Sequence, residues 1–323
     1  MPVGERKLIQ HIRRAAGGGP SLVAGIGDDC AVLRVPQGHE LLVTTDFCIE
    51  NVHFRRDWHD PEWVGRRCLT RGLSDIAAMG GEPRAAFLSL AVASDVPQKW
   101  VERFVKGLLE LATEFKVPLA GGDTAQSERG IQADIVVVGS VPKGKAILRS
   151  GAKAGDRIYV TGALGGSAAQ LAQLMTTGRV AAHGSGNLRR QSSGYSRPEA
   201  RVAVGLALRR RGLAAAMIDL SDGLSTDLEH ICQESRVGAE IVEEAIPRAK
   251  FDKKPVELKS ALHGGDDYEL LFTSAATVPA KVAGVRVTRI GRITRSLGMR
   301  LIGEDGRSRP LAAAGWEHFR GDL

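Results

Sequence analysis

Cysteine is scarce and scattered, four in 323 residues (Cys30, Cys48, Cys68 and Cys232), with no CxxC pair and no framework spacing. That excludes a disulfide-stapled scaffold and a thiolate zinc site, and it predicts a reducing compartment. Long apolar runs are missing too; none approaches the roughly 18–20 residues of a membrane helix. The segment Met1 to Arg14 is charged throughout and has no apolar core of a secretory signal. A cytoplasmic location with no membrane contact is the expectation. Aromatic residues make up only 5% of the chain, and no basic stretch is interleaved with them. The net charge of +7, with Arg pairs at 13–14, 55–56, 66–67 and 189–190 and a triplet at 209–211, attracts anions. A single-stranded nucleic-acid surface needs stacking rings among its cations. These arginines therefore read as solvated helix faces, and nucleic acid is not an expected partner.

Familiar nucleotide and catalytic signatures are absent as well. There is no GxxxxGK[ST], and Gly25-Ile-Gly27 lacks the third glycine of a dinucleotide fingerprint. GxSxG, HExxH and the protein-kinase motif set are not found. Any nucleotide site must be of another design.

What the chain does have is a core. Hydrophobic residues at 43% and charged residues at 25% are a globular balance, and 323 residues suit two domains. Strand-like and helix-like segments alternate, which predicts an α/β class. Glu40 to Thr45 reads as a strand. Asp60 then caps a helix that has Pro61 at its first position and Val64, Cys68, Leu69, Leu73, Ile76 and Ala77 on one face, ending at Gly80–Gly81. A second helix, Pro97 to Phe115, buries Val101, Phe104, Val105, Leu108, Leu111 and Ala112. Val117 to Ala120 and Ile135 to Val141 read as further strands. A basic, Gly-rich stretch from Pro142 to Asp156 sets a boundary near 145, giving domains 1–145 and 146–323. The second begins with a strand at Arg157–Val160, then the Gly162–Gly166 turn and a helix through Ala168, Leu171 and Leu174. Residues 178–198 read as a surface loop. A helix over Glu199–Arg211, a strand over Ala215–Leu220 and a helix bearing Leu224, Leu228, Ile231 and Cys232 follow.

The informative pattern is an apolar run, a small-residue turn, then aspartate. It occurs at Asp28–Asp29, Asp46, Asp123, Asp219 with Asp222, and Asp266–Asp267. Such turns predict carboxylates at strand ends, where α/β folds place ligands. Small neighbours leave amides free for phosphate oxygens. Each aspartate alone also suits a turn or a helix cap. Five recurrences together would repel one another without hard cations, and an all-oxygen set suits Mg²⁺ with nucleotide phosphates. Asp75 lies inside a helix and on spacing alone reads as an exposed i,i+4 partner of Arg71. His53 equally suits a satisfied loop histidine.

Taken together, GIGDDCAVL, TTDFCIENVHF, GLSDIAAMGGEPRAA, GGDT, LRSGAKAGDRIYVTGALGGSA, IDLSDGLSTDL, GGDDYELLF and GWEHF occur in order from Gly25 to Phe319. This set resembles the thiamine-monophosphate kinase family, within the superfamily of aminoimidazole ribonucleotide synthetase and selenophosphate synthetase. The resemblance implies a two-domain α/β fold of the aminoimidazole ribonucleotide synthetase type, whose N-terminal sheet pairs across a homodimer into a barrel. It assigns ATP and Mg²⁺ binding and dimerisation to the first domain, with the second completing the nucleotide and substrate site. The activity implied is transfer from ATP to thiamine monophosphate, giving thiamine diphosphate. Carried over by position, Asp28, Asp29, Thr44, Thr45, Asp46, Asp75, Asp123, Asp219 and Asp222 would hold several Mg²⁺ ions. Gly122, Asp123, Arg149 and Ser221 would contact ATP, and His53, Asp266 and Trp316 the thiamine phosphate.

The family usually has Glu-Asp where this chain has Asp266–Asp267, which shortens the first side chain by one methylene. A phosphate acceptor with a second pKa near ~6 is already a nucleophile, so direct transfer without a general base or phosphoenzyme is the expectation. The rival readings are a superfamily enzyme that activates a carbonyl oxygen and a nucleotide-binding regulator without catalysis. A regulator has no need for Asp75, Asp123 and Asp222 together. A selenophosphate synthetase would need a reactive Cys or Lys in a Gly-rich N-terminal segment, and none is there.

Overall fold

The computed structural model describes residues 5–26, 30–177, 198–251 and 253–318. The chain divides into two compact units, Met1–Ile76 with Gly81–Gly144, and Ala77–Gly80 with Lys145–Leu323. No helix among the described residues is long and apolar enough to cross a membrane.

The first unit runs α1 (Glu5–Ala15), β1 (Leu22–Ala24), β2 (Val32–Leu33), β3 (His39–Ile49), α2 (Pro61–Ala78), β4 (Glu82–Val92), α3 (Gln98–Phe115), β5 (Leu119–Gln126) and β6 (Ile131–Pro142). Its main sheet has the order β3-β6-β4-β5, antiparallel except between β4 and β5. Helix α2 begins as its residues dictate: Pro61 needs no donor at the first position, and the Val64 amide donates to the Asp60 carbonyl at 3.0 Å. The expected stripe Val64, Cys68, Leu69, Leu73, Ile76 and Ala77 is at most 2% exposed. Full burial of a large apolar side chain contributes about 1.5–3 kcal/mol. Helix α3 buries the six residues its periodicity marked, and Lys116 ends it in the left-handed region at φ 57°. Strand alternation turns Leu42, Thr44, Asp46 and Cys48 of β3 toward α2, and Leu41, Val43, Thr45 and Phe47 to the opposite face. Gly72 lets α2 lie close on the sheet, because a Cβ there would sit 2.5 Å from Val137 Cγ2 on β6.

The second unit contains β7 (Arg157–Thr161), α4 (Gly166–Thr177), α5 (Val202–Arg210), β8 (Ala216–Asp219), α6 (Leu224–Ser235), β9 (Gly238–Val242), β10 (Lys250–Phe251), β11 (Lys254–Pro255), α7 (Leu258–His263), β12 (Leu270–Ser274), β13 (Lys281–Val282), β14 (Val285–Thr294), β15 (Gly298–Ile302) and β16 (Ser308–Pro310). Its large sheet follows β16-β15-β9-β14-β7-β12-β8, with β13 beside β14. Ile158, Val160, Ile218, Leu271 and Ile290 from the sheet meet Leu224, Leu228, Ile231 and Cys232 of α6 in one core. Helix α5 starts at Val202, three residues later than its sequence suggests. The reason is Arg201, which turns inward before the helix to bind Glu269 at 2.5 and 2.8 Å. The expected loop at 178–198 lies outside the described residues except for Pro198.

Candidate functional site

In the first unit, three oxygen-bearing side chains meet between β3 and α2. Thr44 donates its hydroxyl to the Asp75 carboxylate. Asp46 lies on the same side of β3, with Arg71 Nη2 3.4 Å from its Oδ1. The Asp75–Arg71 exposed pair is therefore a wrong expectation. Positions 71 and 75 are one helical turn apart on the face turned to β3, where Arg71 finds Asp46 and Asp75 finds Thr44. Burial, then the nearby Asp75 charge, pushes the Asp46 carboxyl up to about 7, with Arg71 opposing. A pair of crowded carboxylates beside a hydroxyl offers only oxygen donors and gains from a divalent cation. That donor set fits Mg²⁺.

Asp123 stands apart from this cluster. By register, Phe47, Asp134, Ser89 and Asp123 form a row across the sheet on the face away from α2. Asp46 aligns through Ile135 and Leu88 with Gly122, three strand spacings or about 14 Å away. Thr45 belongs to this second face and donates to Asp134 Oδ1 at 2.6 Å. Asp123 is exposed, and its Oδ1 accepts the Thr124 amide at 2.8 Å. Gly122 has φ 147°, and a Cβ there would lie 1.9 Å from the Leu88 carbonyl oxygen. Any side chain would force β5 away from β4. His53 sits in the turn after β3, where its Nδ1 accepts the Ile49 amide at 3.0 Å. Asp28 and Asp29 lie outside the described residues.

The second unit gathers its acids around the turn between β8 and α6. Asp219 ends β8, Asp222 precedes α6, and Asp227 reaches back from the helix to accept the amides of Asp222 and Gly223 at 3.2 and 3.0 Å. It caps α6 where Gly223, at φ 116°, has no side chain to do so. Burial, then the charges of Asp219 and Asp222, holds the Asp227 carboxyl well above the ordinary range. Asp222, Asp227 and His230 bring ligand atoms within 4.8 Å of one another.

Two other segments meet the same turn. The Asp266 amide donates to the Ser221 carbonyl at 2.8 Å, and the Trp316 amide to the Asp222 carbonyl at 2.9 Å. Trp316 is 52% exposed, its ring edge-on to His318. Arg149 is exposed on a short 3₁₀ turn that Ser235 anchors by donating to its carbonyl at 2.7 Å. Asp267 turns inward instead and accepts the Gly165 amide at 2.7 Å; burial raises its carboxyl to about 7.

The expected strand-end position is thus met by Asp219 but not by Asp46 or Asp123, which lie inside strands. Strand β3 continues through Phe47, Cys48 and Ile49, and the Gly-Gly before Asp123 serves close strand pairing rather than a turn. The structure joins Thr44, Asp46 and Asp75 in one group and Asp219, Ser221, Asp222, Asp266 and Trp316 in another. Sequence reasoning overlooked Asp227 and His230, although their i,i+3 spacing on α6 was a usable signal. It also overlooked Glu269, 5% exposed, which takes Arg201 and the Thr161 hydroxyl.

The AIR synthase related protein family matches the chain in both parts, its N-terminal domain over residues 27–141 and its C-terminal domain over residues 153–303. The thiamine-monophosphate kinase of Escherichia coli (strain K12) is 39% identical over 99% of each chain. A crystal structure of thiamine-monophosphate kinase from Stenotrophomonas maltophilia K279a superposes with a TM-score of 0.79 at 33% identity, over 96% of this chain and 99% of that one. The structure of AaThiL complexed with AMPPCP and TMP gives a TM-score of 0.73 at 30% identity, over 99% of both chains.

Proposed function

We propose, for a chain that belongs to the thiamine-monophosphate kinase family, that it moves the γ-phosphoryl group of ATP to thiamine monophosphate, forming thiamine diphosphate. The observation that carries this reading is likeness along the whole chain to enzymes of that name, one of them complexed with AMPPCP and TMP. ATP is the co-substrate.

The residue roles are those that the family resemblance assigns by position, and the oxygen-rich chemistry of the two groups supports them. Thr44, Asp46 and Asp75 hold Mg²⁺ in the first unit, and Asp219 and Asp222 do so in the second. Asp28, Asp29, Thr45 and Asp123 are further metal ligands. Gly122, Asp123, Arg149 and Ser221 contact ATP, while His53, Asp266 and Trp316 contact thiamine monophosphate. When bound, Mg²⁺ neutralises charge on the phosphates and eases approach of the two anions. The acceptor phosphate is largely dianionic near neutral pH, so no side chain has to remove a proton. The chain's own work is positioning and charge balance, with direct in-line displacement at the γ-phosphorus and no phosphoenzyme. Arg149 lowers the charge repulsion without accepting or giving a proton.

The first unit further supports a homodimer. Leu41, Val43 and Phe47 are 52%, 66% and 60% exposed on one sheet face, beside the partly buried Phe87, Val136 and Val138. A second copy covering this face, sheet against sheet, would form a barrel and remove the apolar patch from water. Sedimentation should give twice the chain mass, and a Val43→Lys variant should shift toward monomer. A wild-type monomer at every concentration would reject the dimer.

The activity is tested by incubating the protein with ATP, Mg²⁺ and thiamine monophosphate and identifying products by mass spectrometry. Thiamine diphosphate and ADP in equal amounts are expected, with γ-labelled ATP leaving the protein unlabelled. ADP without thiamine diphosphate would overturn the reading.

A further inference from the structure

Two residues of the loop entering β12 adopt a backbone conformation that their types avoid. Asp266 has φ 65° and Tyr268 has φ 51°. Aspartate tolerates this region, but for a ring-bearing residue it is an outlier that persists only where the surroundings impose it. Here they do. The Asp266 amide is bound to the Ser221 carbonyl at 2.8 Å and the Tyr268 amide to the Leu220 carbonyl at 2.9 Å. Ser167 Oγ donates to the Asp266 carbonyl at 2.8 Å.

The strained turn brings the Tyr268 hydroxyl onto Asp266, donating to Oδ1 at 2.8 Å. The ring is 1% exposed, so the phenol is held by packing rather than by solvent. Asp267, the neighbouring acid, accepts the Gly165 amide just before α4, so the two carboxylates of the pair are held by different partners. A short side chain has little reach of its own, and its direction depends on what grips it.

We propose that Tyr268 is the positioning residue for Asp266, fixing that carboxylate toward the cationic, amino-bearing ring system of thiamine monophosphate. The inference rests on the substrate role proposed above for Asp266. Tyr268 touches no reacting atom. It acts by holding one acceptor in place, so its loss weakens selection of the acceptor substrate and leaves nucleotide handling alone.

The experiment is a cycle of Tyr268→Phe, Asp266→Asn and the double variant, with KM for each substrate, kcat and thermal melting. Phenylalanine keeps the ring that fills the core, so the fold should persist and melting checks this. Tyr268→Phe should raise KM for thiamine monophosphate roughly 2- to 12-fold, the range of one net hydrogen bond. KM for ATP and kcat should stay within twofold. On the Asp266→Asn background, Tyr268→Phe should add nothing further. An equal rise in both KM values, or the same factor with and without Asp266, would make Tyr268 structural and overturn the proposal. If Asp266→Asn raises KM while Tyr268→Phe does not, only the positioning role fails. An unchanged KM in Asp266→Asn removes the substrate role of Asp266, and this proposal with it.

Discussion

The two units solve one electrostatic problem in different ways. In the first, the crowded acids stand on regular elements, Asp46 on β3 and Asp75 on α2, and their charge is answered by Arg71 and the Thr44 hydroxyl. In the second, Asp219 ends β8, Asp222 stands on the turn and Asp227 on the first turns of α6, and backbone amides of Asp222 and Gly223 answer Asp227. Side-chain compensation needs a helix packed at a set distance, which Gly72 permits. Amide compensation needs only a helix start, whose first amides lack partners in any case. The first design is therefore sensitive to packing and the second to local chain conformation. The units also differ in finish: the sheet of the first leaves Leu41, Val43 and Phe47 to solvent on one face.

The comparison breaks most sharply if one group of acids proves dispensable. Asp75→Asn and Asp222→Asn should each lower kcat by about 10²- to 10³-fold at saturating Mg²⁺, on the scale of losing one charge-stabilising group. Steady-state assays on both, with circular dichroism to check the fold, decide this. Near-normal turnover in either would confine metal chemistry to the other unit.

A smaller effect separates the units through pH. The folded Asp46 carboxyl, at about 7, binds its proton more tightly than the unfolded chain does. In metal-free protein its contribution to stability is thus present below the ordinary carboxylate range and is lost as pH rises through 7. The loss is at most roughly 4 kcal/mol, at about 1.4 kcal/mol for each tenfold gain in proton affinity on folding. Asp267, also at about 7, acts in the same direction. Melting curves at pH 5 and pH 8 should show the decline, and Asp46→Asn should remove its share. Mg²⁺ should restore stability at pH 8 in wild type but leave the Asp267 share unchanged, because that carboxyl faces the α4 amides. A pH profile identical in Asp46→Asn and wild type would show that Asp46 is not the titrating group.

The smallest expected effect concerns Trp316 in the second unit. A cation over an indole face gains ~0.5–2 kcal/mol, so Trp316→Ala should raise KM for thiamine monophosphate roughly 2- to 30-fold with little change for ATP. Being half exposed, the side chain contributes little to the core, and the melting temperature should hold. A lowered melting temperature with unchanged KM would instead make Trp316 a clasp for the C-terminal segment.

Periodicity alone determined the α/β class and the buried stripes of α2, α3 and α6, because burial spacing is a local property. The order of eight motifs determined the family for the same reason: each is a short string whose residues act together. Which acids share a neighbourhood was not local. Asp46 and Asp123 each follow an apolar run and two small residues, yet the pleat and the register across β3-β6-β4-β5 send them to opposite faces of one sheet. Asp75 looked like the exposed partner of Arg71 until the packing of α2 on β3 gave each a different companion. Asp227 and Tyr268 lie within IDLSDGLSTDL and GGDDYELLF, yet those strings do not show what each side chain grips, since capping an amide or holding a carboxylate depends on what the chain brings beside them. Residue type and spacing set what each side chain can bind, and only the tertiary structure, by closing strands and helices over long sequence separations, decided which partner it met.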